Sequence, residues 1–391
     1  MQNKTAQVNN PDSSEQKQAT GKQLTALVFI LALAAKMFLL PIFLIRTTGR
    51  DAYIALAVSG GVDLIALGII LVALKLSGED NFFTLMTALL GRVGAKITVA
   101  FIGLFFFLKL NIAVAETLAF YGSNVFTDFD TSFMIIILAV FLCSVACHTL
   151  RALCRLNELL VPIIVLCLGI LVAIVIMTGY DFANIFPAMQ DGKAFTHGMT
   201  RHAAWLGDFT PLALLTGRTK LKKHTAAFAA GAGVVGTAVA VFFAVVMSAA
   251  FGNAPTLADN TTNLSNILQF TIGNVYGRID MFSSILWSIS VFIQAAVFFY
   301  AAVRCVEFVI GRAAHIQTAI GVSVALYVTQ VFALVDPTVF SKVITTPECS
   351  AVTLFFTLAV PAVALAGAIK NRIRKGRNAD ENNAAQKTAD I

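Results

Sequence analysis

Lys36 stands in the middle of an apolar run, Leu31-Ala32-Leu33-Ala34-Ala35-Lys36-Met37-Phe38-Leu39-Leu40-Pro41. An ionisable group at membrane depth costs about 2.5–3.5 kcal/mol on insertion scales, so it faces a bundle interior and finds a partner. Pro41 removes one helical hydrogen bond a turn earlier, close to Lys36. A helix loosened in mid-run frees backbone groups for a ligand, and a lysine there could hold a carboxylate. The alternative is that Lys36 pairs permanently with a buried acid.

A second apolar run carries Lys109, Asn111 and Glu116. Lys109 and Glu116 lie on one helix face two turns apart, while Asn111 and Glu116 are offset by roughly 140°. Glu116 could neutralise Lys36, or Lys109 could pair with an acid elsewhere; an internal ion pair is the structural outcome of either. A third segment, Met199 to Thr216, is polar at its start and contains Arg201, His202, Trp205, Gly207, Asp208 and Pro211. Helical spacing would put Arg201, Trp205 and Asp208 on one face. Gly207 and Pro211 weaken the helix around Asp208, and an interrupted span with a carboxylate at the break suits a small-solute or ion site. The alternative is a short helix with its polar end at the interface and Trp205 in the aromatic belt. Gln294, within an aromatic run, either meets a ligand or bonds a neighbouring helix.

These residues need elements to hold them, and the composition says which. Of 391 residues 58% are apolar and 13% are charged. Soluble domains carry about 25% charged residues, so a water-soluble enzyme with a polar shell is excluded. Apolar stretches fall at about 24–45, 52–76, 97–121, 131–147, 157–178, 200–216, 225–251, 280–303, 315–335 and 347–369. Each is near the length of a membrane span, and lipid forces such spans to be helices. The expected fold is an all-α polytopic membrane protein of ten transmembrane helices. Of the 28 Lys and Arg residues, 20 fall on one side of this frame and 6 on the other, with Lys36 and Lys109 inside apolar runs. That bias places both termini in the cytoplasm.

The expected organisation is a disordered tail at 1–22, a transmembrane domain at 23–370, and a basic then polar tail at 371–391. Residues 252–279 contain Leu264, Ile267, Leu268 and Ile272 at helical spacing, which suggests an amphipathic helix over the outer mouth of the bundle. The six cysteines show no metal-binding spacing, and no nucleophile–base pair or phosphate loop appears. No cofactor is expected, and the chain reads as a non-enzyme. The string Gly231-Ala232-Gly233-Val234-Val235-Gly236 lies inside an apolar span and reads as close helix packing rather than a nucleotide loop. The basic residues act as a topology signal, not a nucleic-acid surface.

Several stretches carry a resemblance. They are Gly49-Arg50-Asp51-Ala52-Tyr53, Arg155-Leu-Asn-Glu-Leu-Leu-Val-Pro162, Asp181-Phe-Ala-Asn-Ile-Phe-Pro-Ala-Met-Gln-Asp-Gly192 and Arg278-Ile-Asp-Met-Phe-Ser-Ser-Ile-Leu-Trp287. In this order the chain resembles the spore germination permease family, the B subunits of nutrient germinant receptors, within the amino acid–polyamine–organocation transporter superfamily. The resemblance implies a 5+5 inverted repeat with helices 1 and 6 broken. It implies an amino-acid-like nutrient bound between those breaks, with A-type and C-type receptor subunits as partners in the cell membrane or spore inner membrane. Carried onto this chain, the site would comprise Ala34, Ala35, Lys36, Met37, Trp205, Gly207 and Asp208, flanked by Asn111, Glu116 and Gln294. Lys36 departs from the small residues expected at the first break and would fill space that a ligand ammonium or an ion could use. A proton-coupled amino acid transporter, or a scaffold that binds nothing, are the alternative functions.

Overall fold

The computed structural model describes residues 19–34, 36–37, 39–124, 131–148, 150–177, 182–186, 188–189, 191–219, 221–251, 279–311, 314–334 and 337–389. Ala35 and nearly all of the 252–279 connection, including its expected amphipathic helix, lie outside the described residues. Among the described residues the chain is helical, with one isolated backbone bridge between Ala19 and Thr219. Seven helical stretches there are long and apolar enough to cross a membrane, and three shorter apolar ones are Gly21–Leu33, Ser132–Val145 and Ala203–Leu215.

Helix α1 (Gly21–Leu33) starts at a capping box in which Thr20 Oγ1 accepts from Gln23 N and Gln23 Oε1 accepts from Thr20 N. It stops at Ala34, whose φ of −13° and ψ of −106° leave the helix. Helix α2 (Leu39–Thr48) follows, with Pro41 in its first turn, where no intrahelical donor is needed. The break expected near Lys36 is therefore present. Next come α3 (Ala52–Ser77), α4 (Phe82–Asn124, kinked at Gly91), α5 (Thr131–Ala146) and α6 (Leu150–Met177). A short surface helix, α7 (Gly192–Arg201), leads into two 3-10 turns, Ala203–Trp205 and Thr210–Leu215. The second half holds α8 (Lys223–Phe251), α9 (Ile279–Ile310), α10 (His315–Thr329), a π turn (Gln330–Leu334), α11 (Pro337–Ile344) and α12 (Pro347–Ala389). Helix α12 runs on through 371–389, the described part of the basic then polar tail. Its Ala, Glu, Gln and Lys residues are good helix formers and extend a helix already nucleated in the bundle.

Packing follows side-chain size. Helices α4 and α9 share the longest seam, and α1 lies along α8. A Cβ on Gly233 would come within 2.6 Å of Leu67, and one on Gly236 within 2.6 Å of Ala32, whereas Gly231 has open space around it. Two of the three glycines in the string thus serve close helix approach, as expected, and none faces a strand or a phosphate loop. Large apolar side chains such as Leu104, Ile176 and Phe355 point outward, each at least 64% exposed. Meanwhile Lys36, Asp63, Lys109, Glu116 and Asp208 are buried. That inversion of the soluble pattern is what a lipid solvent demands.

Candidate functional site

The two breaks meet. Between the 3-10 turns, Leu206 is extended and Gly207 has φ of +87°, so the chain turns sharply beside Asp208. Glycine is required there twice over. The backbone is left-handed, and a Cβ would sit 2.7 Å from Thr357 Oγ1 and 3.1 Å from the Phe105 ring. This turn is the interruption expected around Asp208, and it does not preserve the face drawn by helical spacing. Arg201 is exposed while Trp205 and Asp208 are buried, so the three do not share a face.

Asp208 lies between two lysines. Lys36 Nζ is 2.9 Å from Asp208 Oδ2 and Lys109 Nζ is 2.9 Å from Asp208 Oδ1. Lys36 also donates to Asp63 Oδ2. Asp63 Oδ1 in turn accepts from the Gly207 backbone N–H at 2.8 Å. Lys109 Nζ donates to the Ala204 carbonyl at 3.2 Å. Two ammonium groups and two carboxylates therefore balance, and together they tie α3, α4 and both breaks into one buried unit. Of the alternatives left open for Lys36, internal pairing is the one found. The acids on Lys36 are Asp63 and Asp208, not Glu116.

Asp63 was not among the expected site residues. The signal was available, since Gly61-Val62-Asp63-Leu64-Ile65 is a carboxylate inside an apolar run. Lys109 also belongs to the cluster. Asn111 does not: its amide donates to the Phe107 carbonyl at 2.8 Å and its Oδ1 accepts from Gln330 Nε2 at 3.0 Å. It ties α4 to the π turn, because two residues beyond Lys109 is nearly the opposite helix face.

Trp205 is buried rather than at an interface, stacked against His202 at 5.5 Å between ring centroids. Its Nε1 donates to Glu116 Oε1. Glu116 Oε2, however, is buried with no hydrogen-bond partner. Gln294 Oε1 and Trp287 Nε1 are orphaned in the same way. All three lie on one seam. The antiparallel helices α4 and α9 touch where Phe120 meets Trp287 at 4.7 Å and where Lys109 Nζ sits 5.8 Å from the Phe298 ring. Those contacts put Gln294 at a level between Glu116 and Lys109. Ala34 and Met37 are buried at the first break. A buried polar atom without a partner is uncommon and asks for a missing donor or acceptor, such as a water or a ligand. Glu116 Oε2, Gln294 Oε1 and Trp287 Nε1 thus leave two acceptors and a donor on one buried seam.

The chain belongs to the family of spore germination proteins, whose pattern matches residues 18–334. Among curated proteins none matches at a significant level. Among solved structures, the chain is similar to Mhp1, a nucleobase-cation-symport-1 family transporter, in a closed conformation with bromovinylhydantoin bound. That likeness has a TM-score of 0.60 at 12% identity over 81% of this chain and 72% of that one. The inward-facing conformation of Mhp1 aligns with a TM-score of 0.51 at 14% identity over 86% and 76%. At such identities the likeness shows a shared transporter-type helical fold and nothing about ligands.

Proposed function

We propose that this chain is the membrane-embedded subunit of a spore nutrient receptor, binding a small amino-acid-like molecule at the bilayer midplane and signalling to A-type and C-type partner subunits. The carrying observation is the set of unpartnered atoms at Glu116, Gln294 and Trp287, beside an ion cluster whose charges pair with one another. A ligand ammonium or amide donor would complete Glu116 Oε2 and Gln294 Oε1, and a ligand acceptor would complete the Trp287 N–H. Lys36 would not clamp the ligand. It would hold the two breaks at Asp63 and Asp208, so that a guest pressing on Trp205 is felt by the whole cluster. Binding would act by favouring one of two bundle arrangements, which requires different affinity for the two.

The test is ligand-dependent thermal protection of the purified chain over a panel of amino acids and related small nutrients. A protecting nutrient is expected to lose at least ten-fold in apparent affinity in Glu116→Gln and in Gln294→Leu. Protection by none of the panel, or undiminished protection in both variants, would overturn the assignment. The runner-up is proton-coupled amino acid transport, favoured by the transporter-type fold and by the half-satisfied Glu116 carboxyl. Accumulation of labelled amino acid in liposomes under an imposed pH gradient would favour it; binding without accumulation would favour the receptor.

A further inference from the structure

We infer that a crevice between α1, α6 and α8 is a binding site for one anionic phospholipid. The crevice has a volume of about 990 Å³ and is walled by matching stripes on three helices. On α6 the stripe runs Arg151, Arg155, Glu158, Pro162, Val165; on α1 it runs Lys22, Ala26, Phe29; on α8 it runs Thr225, Phe228, Ala232. Each stripe is polar at one end and apolar further along the helix. The polar ends coincide on the side of the chain that carries the excess of Lys and Arg. Charge at the mouth is Lys22, Arg151 and Arg155 against the single carboxylate of Glu158, a net excess of two positive charges.

The cations are unspent. Among the described residues no ion pair or hydrogen bond engages the head group of Lys22, Arg151 or Arg155, and Arg151 Nε is buried without a partner. A lone Nε donor at the mouth asks for an acceptor, and guanidinium matches a phosphate well. The apolar continuation decides between a free anion and a lipid. Further along the crevice Phe228 is 69% exposed and Val165 49% exposed, an apolar lining that an acyl chain would cover. A small anion would leave that half of the crevice bare; a phospholipid fills both halves. The crevice is also walled by α1, whose far end is the break at Lys36, so the occupant sits against the first half of the broken first span.

The experiment uses the full chain in nanodiscs or detergent micelles titrated with phosphatidylglycerol or phosphatidylcholine, read by thermal protection. A cation near a headgroup contributes about five-fold in affinity, so the two arginines predict roughly a 30-fold preference for phosphatidylglycerol. The double variant Arg151→Gln/Arg155→Gln is expected to lose most of that preference, while Arg372→Gln/Arg374→Gln, on the basic stretch of α12, keeps it. Independently of the arginines, Phe228→Trp is expected to be quenched several-fold more strongly by brominated phosphatidylglycerol than by brominated phosphatidylcholine at equal mole fraction. Equal response to the two lipids, preference retained in the Arg151/Arg155 variant, or equal protection by inorganic phosphate alone would each overturn the site. So would displacement of the lipid effect by an acidic peptide, which would make the crevice a protein-docking groove.

Discussion

Asp63→Asn is the sharpest perturbation of the buried cluster. The substitution keeps an amide oxygen for the Gly207 N–H, which Asp63 now receives at 2.8 Å, and alters volume little. What it removes is one of two negative charges facing two lysines. Asp208 would then face Lys36 and Lys109 alone, each at 2.9 Å, and the unit would carry one uncompensated positive charge. Breaking a buried pair costs about 3–5 kcal/mol. Because Asp208 still touches Lys36, the lower end, about 3 kcal/mol, is expected. At roughly 2 °C per kcal/mol for a large domain, that is a fall of about 6 °C in melting midpoint. Lys36→Met alone should fall similarly, since it strands a negative charge instead. The double variant Asp63→Asn/Lys36→Met leaves the Lys109–Asp208 pair balanced and should recover at least about 2 kcal/mol of the sum of the singles. The assay is the fraction of monodisperse protein after graded heating in detergent. Singles that match the parent, or a double variant no better than the additive sum, would refute the charge-balance account.

Gly207→Ala should destabilise by roughly 2–4 kcal/mol, since it combines a left-handed backbone with contact at 2.7 Å on Thr357 Oγ1, and the same heating assay reads it. Gly236→Ala should lower the midpoint through its 2.6 Å approach to Ala32, while Gly231→Ala, with open space around it, should leave the midpoint unchanged or raise it slightly. Asn111→Ala should cost only about 1 kcal/mol, because Gln330 Nε2 loses Asn111 Oδ1 but keeps the Asn111 backbone carbonyl, and it should leave nutrient protection intact, because Asn111 faces the π turn and not the cluster.

Much of this was legible in the residues. Lys36 in a leucine–alanine run followed by Pro41 announced a break, and the break lies between Leu33 and Leu39. Asp208 beside Gly207 and Pro211 announced the other, and its carboxylate is the hub of the ion cluster. Placing Arg201, Trp205 and Asp208 on one helical face misplaced Arg201, because the helix Gly192–Arg201 ends there and the chain leaves helical geometry at His202, before Trp205. Asn111 entered the expected site through the family resemblance, and the 140° offset already read between it and Glu116 turns the two to different neighbours. Asp63 escaped notice, since a lone acid in an apolar run gives no hint of its partner when that partner lies 27 residues away in the break between α1 and α2.

The sequence alone determined that the chain lives in lipid, that its spans are helical and that its few interior charges turn inward. Those conclusions rest on transfer free energies, which depend on residue type and run length and so are local. Tertiary structure decided who meets whom: Lys36 with Asp63, Trp205 with Glu116 across 89 residues, and Gly207 with Asp63 across 144. Such pairings depend on the rotation and register of helices against one another. Those are set by the packing of small and large side chains over the whole bundle, not by any stretch of sequence read by itself.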